Sequence, residues 1–216
     1  MIETDSEAYR AYPNLHNWFN KLWLSEQLGY DCGPAGIAPT RSGHYIVRPI
    51  INLVGMSVGA AKMWIEGGDT KGVDPGYFWC QWFEGHQISV DYEWAGKWNP
   101  VSCWEATVDD QHLYKFQKWE RCGQYPELGS FFDDIADNGV TRINVEFVDG
   151  KPIEVHLRQS PDPDYDVLIP IWQGEEKKVD VFKELGYVYI SDYDDADGQI
   201  LKSRIGFMVK NYKEIQ

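Results

Sequence analysis

The sequence predicts an α+β chain, one large domain or two small lobes, with mostly antiparallel strands and helices beside them. Three observations predict it. Short runs of strand period crowd the region from Ala60 to about 157. Segments near 14–28, 126–139 and 174–187 have helical spacing instead. And Asp149-Gly150 stands between two alternating runs, a hairpin signal because a tight primed turn needs positive φ at its centre.

Taken in order, 14–28 (NLHNWFNKLWLSEQL) reads as one helix. Leu15, Trp18, Phe19, Leu22 and Trp23 form its apolar side, Asn14 or Asn17 caps it, and Gly29 closes it. Lys21 within it is read as a solvated charge. A Gly/Pro-rich loop follows, then a strand at 45–47 that Arg48-Pro49 leaves. Gly55, Ser57 and Gly59 make a small-residue loop that matches neither G-x-G-x-x-G nor the P-loop. Such a loop makes turns, and it also lets backbone N–H groups approach phosphate.

Strands are expected at 62–65, 77–83, 87–92, 100–108 and 113–119, with 77–94 turning as a hairpin at Glu84-Gly85. The aromatics there are read as mostly core. PELGSFFDDIADNG (126–139) reads as a helix burying Phe131, Phe132 and Ile135, and it feeds the hairpin 141–148 and 152–157. Beyond lie a loop and short strand, a helix carrying Val179, Phe182 and Leu185, and strands at 187–191 and 205–209 around the acidic turn DYDDADG. That turn is no EF-hand: with Gly198 as the required glycine, the first ligand position is Tyr193 and the twelfth Arg204.

Composition narrows the function. The chain has 216 residues, 10 Trp, 13 Tyr and a net charge of −14, so a broad nucleic-acid surface of clustered Lys and Arg is not expected. An acidic protein can still bind a nucleotide in a locally basic cleft. No apolar run approaches transmembrane length and MIETDSEAYR is no signal peptide, so a cytoplasmic protein without membrane contact is expected. Cys32, Cys80, Cys103 and Cys122 are scattered and expected to be reduced.

The chemistry concentrates on the hairpin. Glu146 shares a strand face with Asn144, and Glu154 shares one with His156 and Arg158. A two-residue turn brings Glu146 near Glu154 or its neighbours. Two carboxylates, an imidazole and a guanidinium on one patch suit a divalent metal with an anionic ligand. They equally suit a solvated face with cross-strand ion pairs.

The order of these pieces resembles the ATP-grasp superfamily. YIVRPIINLVGMSVGA looks like its phosphate-binding strand and glycine-rich loop, FWCQWFEGHQISVD like its adenine-lining connection, and INVEFVDGKPIEVHLR like its metal-binding strands. The resemblance implies a domain spanning 1–216, with a small lobe at about 40–80 and a larger one at about 81–216. It implies that Arg48 replaces the phosphate-binding lysine and that Gly55, Ser57 and Gly59 form the phosphate flap. Gln81, Trp82 and Phe83 would lie along adenine, and Glu146 and Glu154 would be metal carboxylates. His156 would stand where the family has a metal-binding asparagine, and Arg158 would steady an anionic substrate or phosphate.

The implied cofactors are ATP with magnesium or manganese. The implied reaction joins a small carboxylate to an amine or thiol through an acyl-phosphate, with Arg48 and Arg158 stabilising charge. Departures are plain: arginine is not lysine, histidine is a poor magnesium ligand, and only 47 residues precede Arg48, too few for the family's amino-terminal substrate domain. They keep a second reading open, a degenerate relative that binds a nucleotide or a partner protein. A third, from the aromatics and the two glutamates, is a carbohydrate-binding module or glycosidase.

Overall fold

In the computed structural model, which describes residues 2, 4–55, 57–109, 112–194 and 203–212, the strands sort into two antiparallel sheets. Strands β1 (Cys32–Pro34), β2 (Gly43–Pro49), β3 (Ala61–Ile65) and β4 (Tyr77–Gln81) make the smaller, in the order β1-β4-β2-β3. The larger comprises β5 (Gln87–Trp94), β6 (Trp98–Asp109), β7 (His112–Arg121), β8 (Arg142–Val148), β9 (Lys151–His156), β10 (Val167–Trp172), β11 (Val188–Asp194) and β12 (Arg204–Lys210). Its order is β11-β12-β10-β7-β6-β5-β8-β9. The expected α+β class with antiparallel sheets is what the chain adopts.

The Asp-Gly hairpin forms as the sequence predicts. Asp149 and Gly150 take φ of 51° and 72° and set Phe147 opposite Pro152; a bulge at Ile153 then shifts the register, so that Glu146 faces Glu154 and Asn144 faces His156. On the far side of β8 the apolar residues face inward. Ile143, Val145 and Phe147 join Val90 and Tyr92 of β5 under a helical layer that contributes Ala8, Leu15, Trp18 and Leu24. Such side chains contribute roughly 1.5–3 kcal/mol each when fully buried, so this layer fixes the hairpin's position.

The helical layer differs from the single helix expected at 14–28. A 3₁₀ stretch, Pro13–Phe19, is followed by α2 (Lys21–Gln27), because Asn20 adopts extended backbone and caps the second segment by accepting from the Trp23 N–H at 2.9 Å. Ahead of them lies α1 (Asp5–Ala11), which the sequence reading omitted. Thr4 and Glu7 form its reciprocal capping box. Of the helix expected at 126–139 only a 3₁₀ turn (Ser130–Phe132) and α3 (Asp133–Asp137) form, with Phe132 and Ile135 buried and Phe131 half-buried. The helix α4 (Lys177–Glu184) forms within 174–187 but buries none of its residues, and Leu185 stands 59% exposed. The acidic turn at 192–198 lies mostly outside the described residues.

Residues 77–94 are not a hairpin. The β4 strand already pairs with β1 and β2, and β5 with β6 and β8, so Glu84-Gly85 belongs to a crossover between the two sheets. Gly85 has φ 137°, and a Cβ there would sit 2.7 Å from the Cβ of Asp149 in the hairpin turn. The crossover is fastened at the same place, where the Asp149 N–H donates to the His86 carbonyl at 3.0 Å. Gly85→Ala is expected to lower stability by about 2 kcal/mol, read as a shift in the urea midpoint. An unchanged midpoint would mean that the crossover is not held against the hairpin.

The thiols also depart from expectation. Cys103 on β6 and Cys122 just beyond β7 have Cα atoms 5.4 Å apart, within disulfide range, and they are paired. Cys32 and Cys80, opposite one another on β1 and β4, are free. No described helix is long and apolar enough to cross a membrane.

Candidate functional site

Two cavities meet along the inner edge of the β8–β9 hairpin. The larger, about 740 Å³, lies between the sheets and is lined by Lys21, Arg48, Lys62, Gln81, Trp82 and Phe83 among others. The smaller, about 150 Å³, lies over the large sheet beside Glu146, His156 and Arg158. Ser57 and Glu154 line both, so the cavities adjoin at these two residues.

Each wall of the larger cleft follows from a local element. The β2 strand carries Arg48, whose guanidinium Nη2 donates to the Ile153 carbonyl at 2.8 Å and whose Nη1 is 4.0 Å from Glu154. Arg48 Nε is buried with no hydrogen-bond partner. The crossover carries Trp82, whose indole lies under the Lys62 ammonium at 4.3 Å and whose Nε1 is likewise buried without a partner. The backbone N–H groups of Gln81 and Trp82 already donate, to Asp31 and His44 carbonyls at 2.8 and 3.2 Å. Phe83 packs edge-on against Tyr30, with centroids 4.9 Å apart. The expected phosphate loop has left-handed backbone at Gly55 (φ 80°), Ser57 (φ 51°) and Gly59 (φ 78°). Ser57 lines both cavities and Gly55 the smaller, while Gly59 sits tightly against Tyr77 and Pro49.

Lys21 is not the solvated charge that its place on a helix suggests. It is 6% exposed, and its ammonium lies 2.8 Å from the Glu154 carboxylate. Burial works against the charge on Glu154, but Lys21, His156 and Arg48 outweigh it and hold the carboxyl below its ordinary range.

His156 sits at the centre of an acid cluster. Its Nδ1 is 2.9 Å from Asp5, and its Nε2 is 3.7 Å from Glu146 and 3.8 Å from Glu154. Burial alone would discharge the ring, but Asp5 above all, with Glu146 and Glu154, raises its pKa to about 10. The ring is therefore an imidazolium at neutral pH. Arg158 is the second partner of Asp5, with Nε at 2.9 Å, and Asp5 is only 4% exposed. Glu146 also accepts from Gln87 Nε2 at 3.1 Å. Among the described residues no group of three or more His, Cys, Asp and Glu side chains is placed to hold a metal ion.

The hairpin thus gathers Glu146, Glu154, His156 and Arg158, and Arg48 reaches the same patch from the other sheet. Gln81, Trp82 and Phe83 line the cleft farther along. Sequence reading missed Asp5 and undervalued Lys21 and Lys62. The capping-box spacing at Thr4–Glu7 was a usable signal for the first; nothing local signals that a helical lysine is buried.

No family model matches the sequence, and neither does any curated protein. Solved structures do match the fold. The chain aligns over its whole length with 76% of an ADP complex of PurK, N5-carboxyaminoimidazole ribonucleotide synthetase, at TM-score 0.57 and 11% identity. It aligns over 93% of its length with 70% of carboxyaminoimidazole ribonucleotide synthase from Aspergillus clavatus complexed with ATP, at TM-score 0.55 and 7% identity. A putative ATP-grasp superfamily protein from Archaeoglobus fulgidus matches over 91% of the chain at TM-score 0.47 and 12% identity, and the chain spans 65% of its length. The chain has an ATP-grasp-like fold.

Proposed function

We propose that the protein binds ATP in the cleft between its sheets and uses it to activate a small carboxylate for attack by an amine or thiol. The observation that carries this reading is a pair of buried, unpartnered donors, Arg48 Nε and Trp82 Nε1, on the walls of a cleft of about 740 Å³. Leaving a buried donor unsatisfied costs about 1–3 kcal/mol, and a nucleotide has acceptors for both kinds of donor. Lys21, Arg48 and Lys62 outnumber Glu84 and Glu154 on the walls, so this cleft is locally cationic in a protein of net charge −14, which suits a polyphosphate. Of the similar solved structures, one is an ATP complex and one an ADP complex, which points the same way.

In this reading Arg48 and Lys21 bind and orient the phosphates, and Gly55, Ser57 and Gly59 form the flap over them. A carboxylate oxygen attacks the γ-phosphorus while the bond to the bridging oxygen breaks and ADP leaves with that electron pair. The amine or thiol then attacks the acyl carbon, and inorganic phosphate departs. Arg158 steadies the anionic substrate.

Magnesium or manganese would be held by Glu146 and Glu154, which face each other across the hairpin, because hard cations are often held by one or two carboxylates plus phosphate. When bound, it would neutralise phosphate charge. His156, with Nε2 3.7 Å from Glu146 and 3.8 Å from Glu154, would hold the two glutamates close together.

The test is calorimetric titration of ATP and ADP with magnesium, with manganese and with EDTA. Micromolar, metal-dependent binding is expected, weakened roughly tenfold or more by Glu146→Gln at an unchanged urea midpoint. Absence of binding under every metal condition would remove this reading.

A further inference from the structure

The smaller cavity has two unlike ends. At the end shared with the cleft stand Ser57 and Glu154, and His156 and Arg158 follow along the smaller cavity. One side of the remainder is walled by rings, where Trp104, Trp119 and Trp172 are 7%, 8% and 4% exposed and Phe116 packs on Trp119 with centroids 4.6 Å apart, and the other side is polar, with Asn144, Glu146, Asp162 and Arg204. Trp104 Nε1 is already spent on the Tyr165 carbonyl at 2.9 Å, so that wall offers an apolar surface rather than a donor. Its volume, about 150 Å³, is that of a cavity known to accept a benzene ring.

We infer that this cavity holds the body of the acyl substrate, and that the substrate is a carboxylate carrying one apolar group about the size of a single ring. The inference rests on the ATP-dependent reading above, and it adds what that reading lacks, the substrate's chemical class. The geometry sets the orientation. A ring against the Trp wall sends its carboxylate toward the Ser57–Glu154 junction, where the phosphates of the adjoining cleft end. Arg158 lines the same cavity and supplies it with a cationic group. A citrate-like polyacid would bring its extra carboxylates against Glu146, Glu154 and Asp162, and acetate would leave the ring wall unfilled.

The wall reports on its own occupancy, since three tryptophans line it. Tryptophan emission of the full chain, with a non-hydrolysable ATP analogue and magnesium present, is titrated with phenylacetate, acetate, citrate and indole-3-acetate. Nucleotide binding is measured separately by calorimetry on the same preparation. Phenylacetate is expected to shift the emission and to bind at least roughly tenfold tighter than acetate or citrate. Phe116→Ala enlarges the cavity from a half-buried position and is expected to move the preference toward indole-3-acetate by a similar factor, with nucleotide binding as its folding control.

Equal affinity for acetate or citrate, or an unchanged preference in a folded Phe116→Ala protein, overturns the inference. Nucleotide binding without any ring-carboxylate binding overturns it too, while leaving the ATP reading intact. Ring-carboxylate binding by a protein that takes no nucleotide supports the cavity and overturns the ATP reading.

Discussion

Replacing Glu154 by glutamine is expected to cost about 3–5 kcal/mol of folding stability. In sequence terms Glu146 and Glu154 look equivalent, two carboxylates opposite one another on a hairpin. The structure separates them. Glu154 has 14% of its side chain exposed and faces Lys21 at 2.8 Å, His156 at 3.8 Å and Arg48 at 4.0 Å. Its amide would leave a buried lysine without a counter-charge. Glu146 is less enclosed and keeps its Gln87 hydrogen bond as an amide oxygen, so its substitution should spare the fold. Urea unfolding of both variants checks this. Adding Lys21→Met to Glu154→Gln should recover part of the loss, because the unpaired cation is then gone. Equal midpoints for the two single variants would show that Glu154 is not the counter-charge of a buried cluster.

The second large effect is expected at Asp5. Asp5→Ala leaves both His156 and Arg158 without their nearest carboxylate and should cost about 3–5 kcal/mol. It should also change the dependence of stability on pH, which an ordinary packing loss would not. The pKa of His156 is raised from 6.5 to about 10. Its contribution is therefore complete below pH 6.5 and is lost as pH rises through 10, with a slope of at most about 1.4 kcal/mol per pH unit. Asp5 is shifted the other way, well below its ordinary 3.8, because His156 and Arg158 outweigh its burial. Its contribution is complete above that ordinary value and fades on acidification.

The groups facing the imidazole are Asp5, Glu146 and Glu154, and Lys21 and Arg48 moderate the last of these. Wild-type stability should fall between pH 6.5 and 10, and Asp5→Ala should fall less steeply there. Parallel profiles would mean that Asp5 does not hold the ring charged.

Much of this site was legible because it is local. Asp149-Gly150 fixed a turn type, and the turn set Val148 opposite Lys151 and Phe147 opposite Pro152; a bulge at Ile153, which the turn does not disclose, then brings Glu154 opposite Glu146. What was not legible depends on partners distant in the chain. Lys21 reads as solvated because most helical lysines are, and only the position of β9 beneath α2 buries it. Glu84-Gly85 has the composition of a turn, yet the competition of β1, β2, β6 and β8 for strand edges makes it a crossover. The Cys103–Cys122 pairing needed the β6–β7 alignment, which scattered cysteines do not disclose.

The contact between Asp5 and His156 joins residues 151 positions apart. During folding the first helix has no charge partner until the β8–β9 hairpin has formed and docked, and closing so long a loop is slow. Until then neither the imidazole nor Arg158 is held in place. The ability to bind ligand should therefore arrive late, in the same cooperative step that completes the core, so a kinetic trace followed by ligand fluorescence should lag one followed by hairpin formation.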